Sequence, residues 1–155
     1  MAGYHVDSSM GAGNYRLVIA GTSKDFLNSA GTQLESRQSV LVSLDQELGE
    51  QLGVFMRLGW QDEKAAVEYD AIYSGGLDIK GNAWGRNGDN IGVGYAYLSG
   101  GSLDIESSEV AEAYYPWQLG QVFALTADIQ YQQDKYKTAI GPSGLILGLR
   151  ATAEF

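Results

Sequence analysis

The sequence predicts an all-β protein, an antiparallel transmembrane β-barrel, and three observations predict it. Apolar and polar residues alternate with period two over about eight segments, and no segment keeps a helical period. The connections between these segments alternate between short and long. Aromatic residues gather near the segment ends, while charges fall on the face opposite the aliphatic residues.

The alternation is clearest in Leu52–Gln61, where Leu52, Val54, Met56, Leu58 and Trp60 share one face and Gly53, Phe55, Arg57, Gly59 and Gln61 the other. In the last segment Leu145, Leu147, Leu149, Ala151, Ala153 and Phe155 alternate with Ile146, Gly148, Arg150, Thr152 and Glu154. Residues 121–132 set Phe123, Leu125, Ala127, Ile129 and Tyr131 against Thr126, Asp128 and Gln130. Residues 67–81 set Val67, Tyr69, Ala71, Tyr73, Leu77 and Ile79 against Glu68, Asp70, Ser74, Asp78 and Lys80. Fainter strands are expected over 14–24, 38–47, 90–99 and 109–119. Residues 1–13 are left as a tail, or the remnant of a preceding segment.

Tight turns are expected at 48–51, 86–89 and 119–121, and longer polar loops at 25–37, 62–66, 100–108 and 133–144. A barrel with short periplasmic turns and longer external loops has this asymmetry, which puts the C-terminus on the periplasmic side. Trp60, Tyr69, Tyr97 and Tyr131 then lie near external strand ends, and Trp117, Phe123 and Phe155 near periplasmic ends, where aromatic rings settle at headgroup level. Trp84 is out of phase with its strand unless Gly75-Gly76 or Gly81 introduces a bulge. An Arg or Lys on the lipid side would cost ~2–4 kcal/mol at the midplane, so the charged faces belong to a lumen.

Composition narrows the function classes. The chain has 155 residues, 10 basic against 19 acidic for a net charge of −9, and no cysteine. A surface of that sign repels phosphate backbones, which argues against nucleic acid as a partner. Disulfides and thiolate metal sites are excluded. Twenty-one glycines and ten tyrosines beside two prolines suit turns and half-buried β surface. Mean hydropathy is slightly negative, as expected when strands average a lipid-facing and a lumen-facing side. The first residues carry no secretory signal, so an outer-membrane protein has either lost one or begins upstream of Met1.

No catalytic constellation is visible. His5, the single histidine, lies in the N-terminal tail, without a strand-anchored triad or metal set around it. Gly11-Ala-Gly13 precedes a strand rather than opening a helix, so it is not a phosphate loop. Residues 86–90 lack the spacing and the terminal Glu of a calcium loop. The pair Glu68/Asp70 shares a face, but glycosidase carboxylates must flank a bond with one kept protonated; solvated wall charge is the simpler reading.

Leu52-Gly-Val-Phe-Met-Arg-Leu-Gly-Trp60 resembles a strand of the carbohydrate-selective porins, the OprB-like family. The resemblance continues through residues 76–86, 89–97, Glu112-Ala-Tyr-Tyr115 and 125–131, and closes on Leu147-Gly-Leu-Arg-Ala-Thr-Ala-Glu-Phe155. It spans roughly residues 38–155 in order and is similar to the family's C-terminal half. It implies a barrel of about sixteen strands in the outer membrane, of which this chain carries about half. It also implies a water-filled pore for sugars and small hydrophilic solutes, with no cofactor or metal. The alternating terminal strand with Phe155 resembles the signal read by barrel-assembly machinery, which makes that end a natural terminus.

The candidate pore-lining and substrate-contact residues are Phe55, Arg57, Glu68, Asp70, Glu112, Tyr114, Asp128 and Arg150. Of these, Arg57, Arg150, Glu112 and Asp128 would supply hydrogen bonds and a transverse field, and Tyr114 and Phe55 are candidate sugar-stacking faces. The bland reading of each charge is a salt bridge between neighbouring strands. Two other architectures stay open: a complete eight-stranded outer-membrane barrel with a structural or binding role, and a soluble lipocalin-like carrier. The oligomeric state is left open.

Overall fold

Backbone N–H and C=O groups within hydrocarbon have no water to bond, so a strand crossing a membrane needs a neighbour on each side. The computed structural model describes residues 1–154, and in it the chain answers that need with one continuous antiparallel sheet. Its nine strands follow in chain order: β1 (Ala2–Ser8), β2 (Gly11–Gly21), β5 (Gln38–Leu48), β6 (Leu52–Gln61), β7 (Tyr69–Lys80), β8 (Asn90–Gly100), β9 (Ile105–Gln118), β10 (Phe123–Tyr136) and β11 (Ser143–Ala153). A small hairpin, β3 (Phe26–Leu27) with β4 (Leu34–Glu35), sits in the loop between β2 and β5. The sheet is open, with β1 and β11 at its two edges.

Direct partners across a ladder share a face, so the register sorts the side chains. Leu17, Val42, Leu58, Tyr73 and Tyr97 form one cross-strand row; Arg16, Ser43, Arg57, Ser74 and Ala96 form the next, on the opposite face. The first face is apolar and unprotected: Leu145, Leu147 and Leu149 expose 67, 76 and 73 % of their surface. Among the described residues no large side chain is fully buried, and the buried apolar ones are Ala65, Val67, Ala71 and Ile105. A lipocalin-like carrier would keep an apolar core inside; here the apolar face is left exposed.

The apolar band has clear limits. On β10 it runs from Phe123 to Tyr131, nine residues, within the ~9–11 that a tilted barrel strand needs to cross. Beyond it the same face becomes polar at Gln133 and Lys135, and Lys135 Nζ reaches Glu109 of β9 at 3.1 Å. Within the band, Trp60 and Tyr73 meet edge to face at 6.0 Å, and the Trp60 Nε1–H donates to the Tyr73 hydroxyl at 3.0 Å.

At one end of the sheet the connections are turns: Ser9–Met10, 49–51, 81–89 and 119–122. The 81–89 turn contains a short 3-10 segment, Gly81–Trp84, that places the Trp84 ring 6.4 Å from Tyr115. This is why Trp84 is out of phase with β7; the register runs unbroken through Gly75-Gly76. Asp89 ties the turn down. Its buried carboxylate accepts from the Arg86 guanidinium, the Tyr115 hydroxyl and the Gln118 backbone N–H, the last at 2.8 Å.

At the other end the loops knit together through main-chain hydrogen bonds. The Ala66 N–H donates to Leu27 O at 2.8 Å, Gly101 to Glu68 O at 2.8 Å, and Lys137 to Asp104 O at 2.7 Å. Arg37 lies over the Phe26 ring at 4.4 Å and donates to Ala66 O at 3.1 Å. The buried Ala65, Val67 and Ile105 lie at this end.

Four expectations change. Residues 2–8, expected as a tail or the remnant of a preceding segment, form strand β1, paired with β2 from Ala2↔Leu17 to Ser8↔Gly11, so the sheet has nine strands rather than eight and is not a closed small barrel. The loop expected over 100–108 shrinks to 101–104, because β8 and β9 continue past the apolar band. The segment expected from residue 67 begins at Tyr69, which leaves Glu68 outside the strand. A register shift between Tyr69 and Ala71 turns Tyr69 away from the apolar face, and its hydroxyl meets Ser108 Oγ at 2.9 Å. Phe155 lies outside the described residues.

Leu149→Arg, near the middle of the apolar band, should cost ~2–4 kcal/mol in a denaturant titration of the lipid-embedded protein. The Arg86 guanidinium, with the Tyr115 hydroxyl and the Gln118 N–H, holds the Asp89 carboxyl well below the usual carboxylate range against the opposing effect of burial. A depressed folded value stabilises above the unfolded one, ~3.9, and that contribution drains away as pH falls through the folded value. Asp89→Asn should therefore lower the unfolding temperature at neutral pH, with the gap to the native protein narrowing below about pH 4.

Candidate functional site

The second face of the sheet carries the charge. Six of the eight predicted residues, Phe55, Arg57, Glu112, Tyr114, Asp128 and Arg150, occupy this face on β6, β9, β10 and β11. Register makes Tyr114 the direct neighbour of Asp128, and Thr126 that of Arg150. The other two stand apart. Glu68 belongs to the loop layer, where its carbonyl accepts from Gly101, and Asp70 lies at the register shift at the head of β7.

The best-defined cluster combines Arg57 with two residues the sequence reading left aside. Asp45 on β5 receives Arg57 Nη2 at 2.7 Å and Arg16 Nη1 at 2.9 Å, so one carboxylate bridges two guanidiniums from three adjacent strands. Arg57 also donates to Leu44 O at 2.8 Å and Met56 O at 3.0 Å, and lies 5.3 Å from the centre of the Phe55 ring. Its guanidinium is thereby pinned along the wall instead of swinging free. Below it, Lys80 Nζ meets Glu47 at 2.8 Å. At the sheet edge His5 Nδ1 lies 3.0 Å from Asn14 Oδ1.

Further along, Asp78 accepts from Asn90 and, at 3.4 Å, from the Tyr114 hydroxyl. Asp128 is different. Gln130 donates to its Oδ2 at 3.3 Å, its Oδ1 is buried without a hydrogen-bond partner, and Arg150 forms no ion pair among the described residues. Cross-strand salt bridging thus describes Arg57 but not Asp128 or Arg150.

Asp45 and Arg16 fall within the fainter strands expected over 38–47 and 14–24, whose faces the alternation does not assign; the ladder puts both on the charged face. What alternation cannot supply is register, which decides that Arg16, Asp45 and Arg57 meet. The face is also less uniform than its sequence suggests. Toward the loop end, Val18, Leu41, Ile72 and Leu98 line a recess of about 320 Å³ around Gly59.

A wall with one apolar, unprotected side and one charged side is that of a transmembrane β-barrel, seen in part. The chain belongs to the carbohydrate-selective porin, OprB family, whose family model matches residues 2–155. Among solved structures it is similar to Pseudomonas putida OprB, determined at high pH, with a TM-score of 0.72 at 17 % identity; the match covers 99 % of this chain and 47 % of that one. The chain therefore spans about half the length of that relative. No curated protein matches the sequence.

Asp45→Asn should leave Arg16 and Arg57 without their shared anion, read as a small shift of the midpoint in a denaturant titration. The stability cost should stay within about 1 kcal/mol, because all three groups are part-exposed.

Proposed function

We propose that the chain forms part of the wall of an outer-membrane pore through which carbohydrates and other small hydrophilic solutes diffuse passively. The observation that carries this reading is the opposition of faces: a band of exposed aliphatic and aromatic residues on one side, and Arg16, Asp45, Arg57, Asp78, Glu112, Asp128 and Arg150 on the other. Charges on that side need water, and a barrel lumen supplies it. Membership of a carbohydrate-selective porin family supports the choice of solute.

The mechanism is physical rather than covalent. A solute enters by exchanging part of its hydration shell for hydrogen bonds to wall groups, and leaves because no single contact holds it strongly. Carboxylates and guanidiniums on the wall set a transverse field that favours polar, neutral solutes over apolar ones. The reading includes no catalytic residue, cofactor or metal. In this arrangement the turns face the periplasm and the knitted loops the exterior, lipid covers the apolar band, and β11 is the strand offered to assembly machinery.

Liposomes containing the complete barrel, this chain together with the strands that close it, should swell in isotonic glucose at a rate that falls as solute size increases. Liposomes that stay impermeable to every sugar tested would remove the pore reading. With the complete barrel in a planar bilayer under a salt gradient, Arg57→Gln should move the reversal potential toward cations and Asp45→Asn toward anions.

A further inference from the structure

One cross-strand row on the charged face carries no charge at all. Val18, Leu41, Gly59, Ile72 and Leu98 are direct partners from β2 to β8, the next row on that face toward the loops from Arg16 and Arg57. Gly59 has no side chain, and its two neighbours lean over it. A Cβ there would lie 2.9 Å from Ile72 Cγ2 and 3.0 Å from Leu41 Cδ1. This row is the floor of the recess of about 320 Å³, at the lower end of the ~300–1,000 Å³ of small-molecule sites. Aliphatic carbon on a wetted wall stays exposed to water, and a ligand that covers it is favoured by the area it buries.

The polar groups at the rim are unequally committed. Gln61 Nε2 donates to Tyr69 O, and the Tyr69 hydroxyl pairs with Ser108 Oγ at 2.9 Å. Asp70 is the exception, because its Oδ1 is buried without a hydrogen-bond partner. A carboxylate oxygen taken from water and left unpaired costs free energy that a donor restores, and a cationic donor restores most. The wall does not supply that cation. Arg16 and Arg57 are bound to Asp45, and Arg37 is turned onto the Phe26 ring and Ala66 O. Around Asp70 the segment 62–70 adds Asp62, Glu63 and Glu68 against Lys64 alone, a local field that draws cations.

We propose that this recess is a binding site for a small amphiphilic amine, with its hydrocarbon body on Leu41, Ile72 and Leu98 and its ammonium group on Asp70. A sugar is the wrong ligand here, since its hydroxyls would meet aliphatic carbon along the floor. An anion of the same shape is repelled by the acidic rim. The site goes beyond the pore reading by adding a second class of solute, held toward the loop end of the wall.

Saturation-transfer NMR on the complete barrel in non-ionic detergent micelles tests it, measured against protein-free micelles. The probe is 2-phenylethylammonium, and 3-phenylpropionate is an anionic control of similar shape. Transfer should be strong to the ring protons of the cation and weak for the anion. The cation should also shift the methyl signals of Leu41, Ile72 and Leu98. Asp70→Asn should weaken cation binding about tenfold, the difference between a charge-assisted and a neutral hydrogen bond. It should do so without lowering the unfolding temperature, because the Asp70 Oδ1 has no partner to lose. Leu98→Ser should weaken binding too, by making the floor polar. If Leu98→Ser fails to assemble, the cation–anion comparison and the methyl shifts of the native protein still decide. Equal transfer to cation and anion, methyl shifts confined to residues outside the recess, or unchanged cation affinity in Asp70→Asn would overturn the site. Sugar-driven liposome swelling reads the pore separately: a barrel that binds the cation but leaves vesicles impermeable supports the site and removes the pore, whereas a permeable barrel that ignores the cation overturns the site alone.

Discussion

Everything in this chain follows from the requirement that backbone polar groups within hydrocarbon be paired by the protein itself. The requirement forces neighbouring strands into a continuous ladder, and the ladder fixes which side chains share a face. Each cross-strand row then has to be chemically consistent from strand to strand. The row Leu17–Val42–Leu58–Tyr73–Tyr97 is consistent in this sense, and so is the more polar row beside it. One side of the sheet becomes a lipid surface and the other a place for charge, without any core between them.

That division places the polar chemistry under different rules on each face. Gln46 shows the stricter rule. It lies on the apolar side near the turn end, buried, and its amide is satisfied by the Tyr15 hydroxyl at 2.6 Å and by Glu47 O at 2.7 Å. On the charged side satisfaction is looser. Arg57 is held by Asp45 and two carbonyls, whereas Arg150 makes no ion pair among the described residues. Water can complete the second kind of residue but not the first.

The sequence was most legible where period two is strongest. Leu52–Gln61 matches β6 at both ends, since an unbroken alternation leaves no freedom in face or length. The short β1 was missed because Tyr4, His5 and Val6 alternate too briefly to stand out, and its pairing with β2 is a long-range fact. Tyr69 misled for another reason: one irregular residue pair reverses every face before it. At the candidate site, Phe55 and Tyr114 could be placed on the charged face from alternation alone. The Arg16–Asp45–Arg57 bridge depends on register across strands that sequence spacing does not encode.

The direction of the edge strands has a consequence for closure. In an antiparallel meander of nine strands the first and the last point the same way, so β1 cannot pair antiparallel with β11 by simple curling. Whatever completes the cylinder must begin and end on strands running the opposite way, and so must contribute an odd number of them. A second copy of the chain, inserted in the same orientation, would meet both edges in parallel and fail this parity rule. Seven further strands would satisfy it and bring the total to about sixteen, within the range of water-filled outer-membrane barrels.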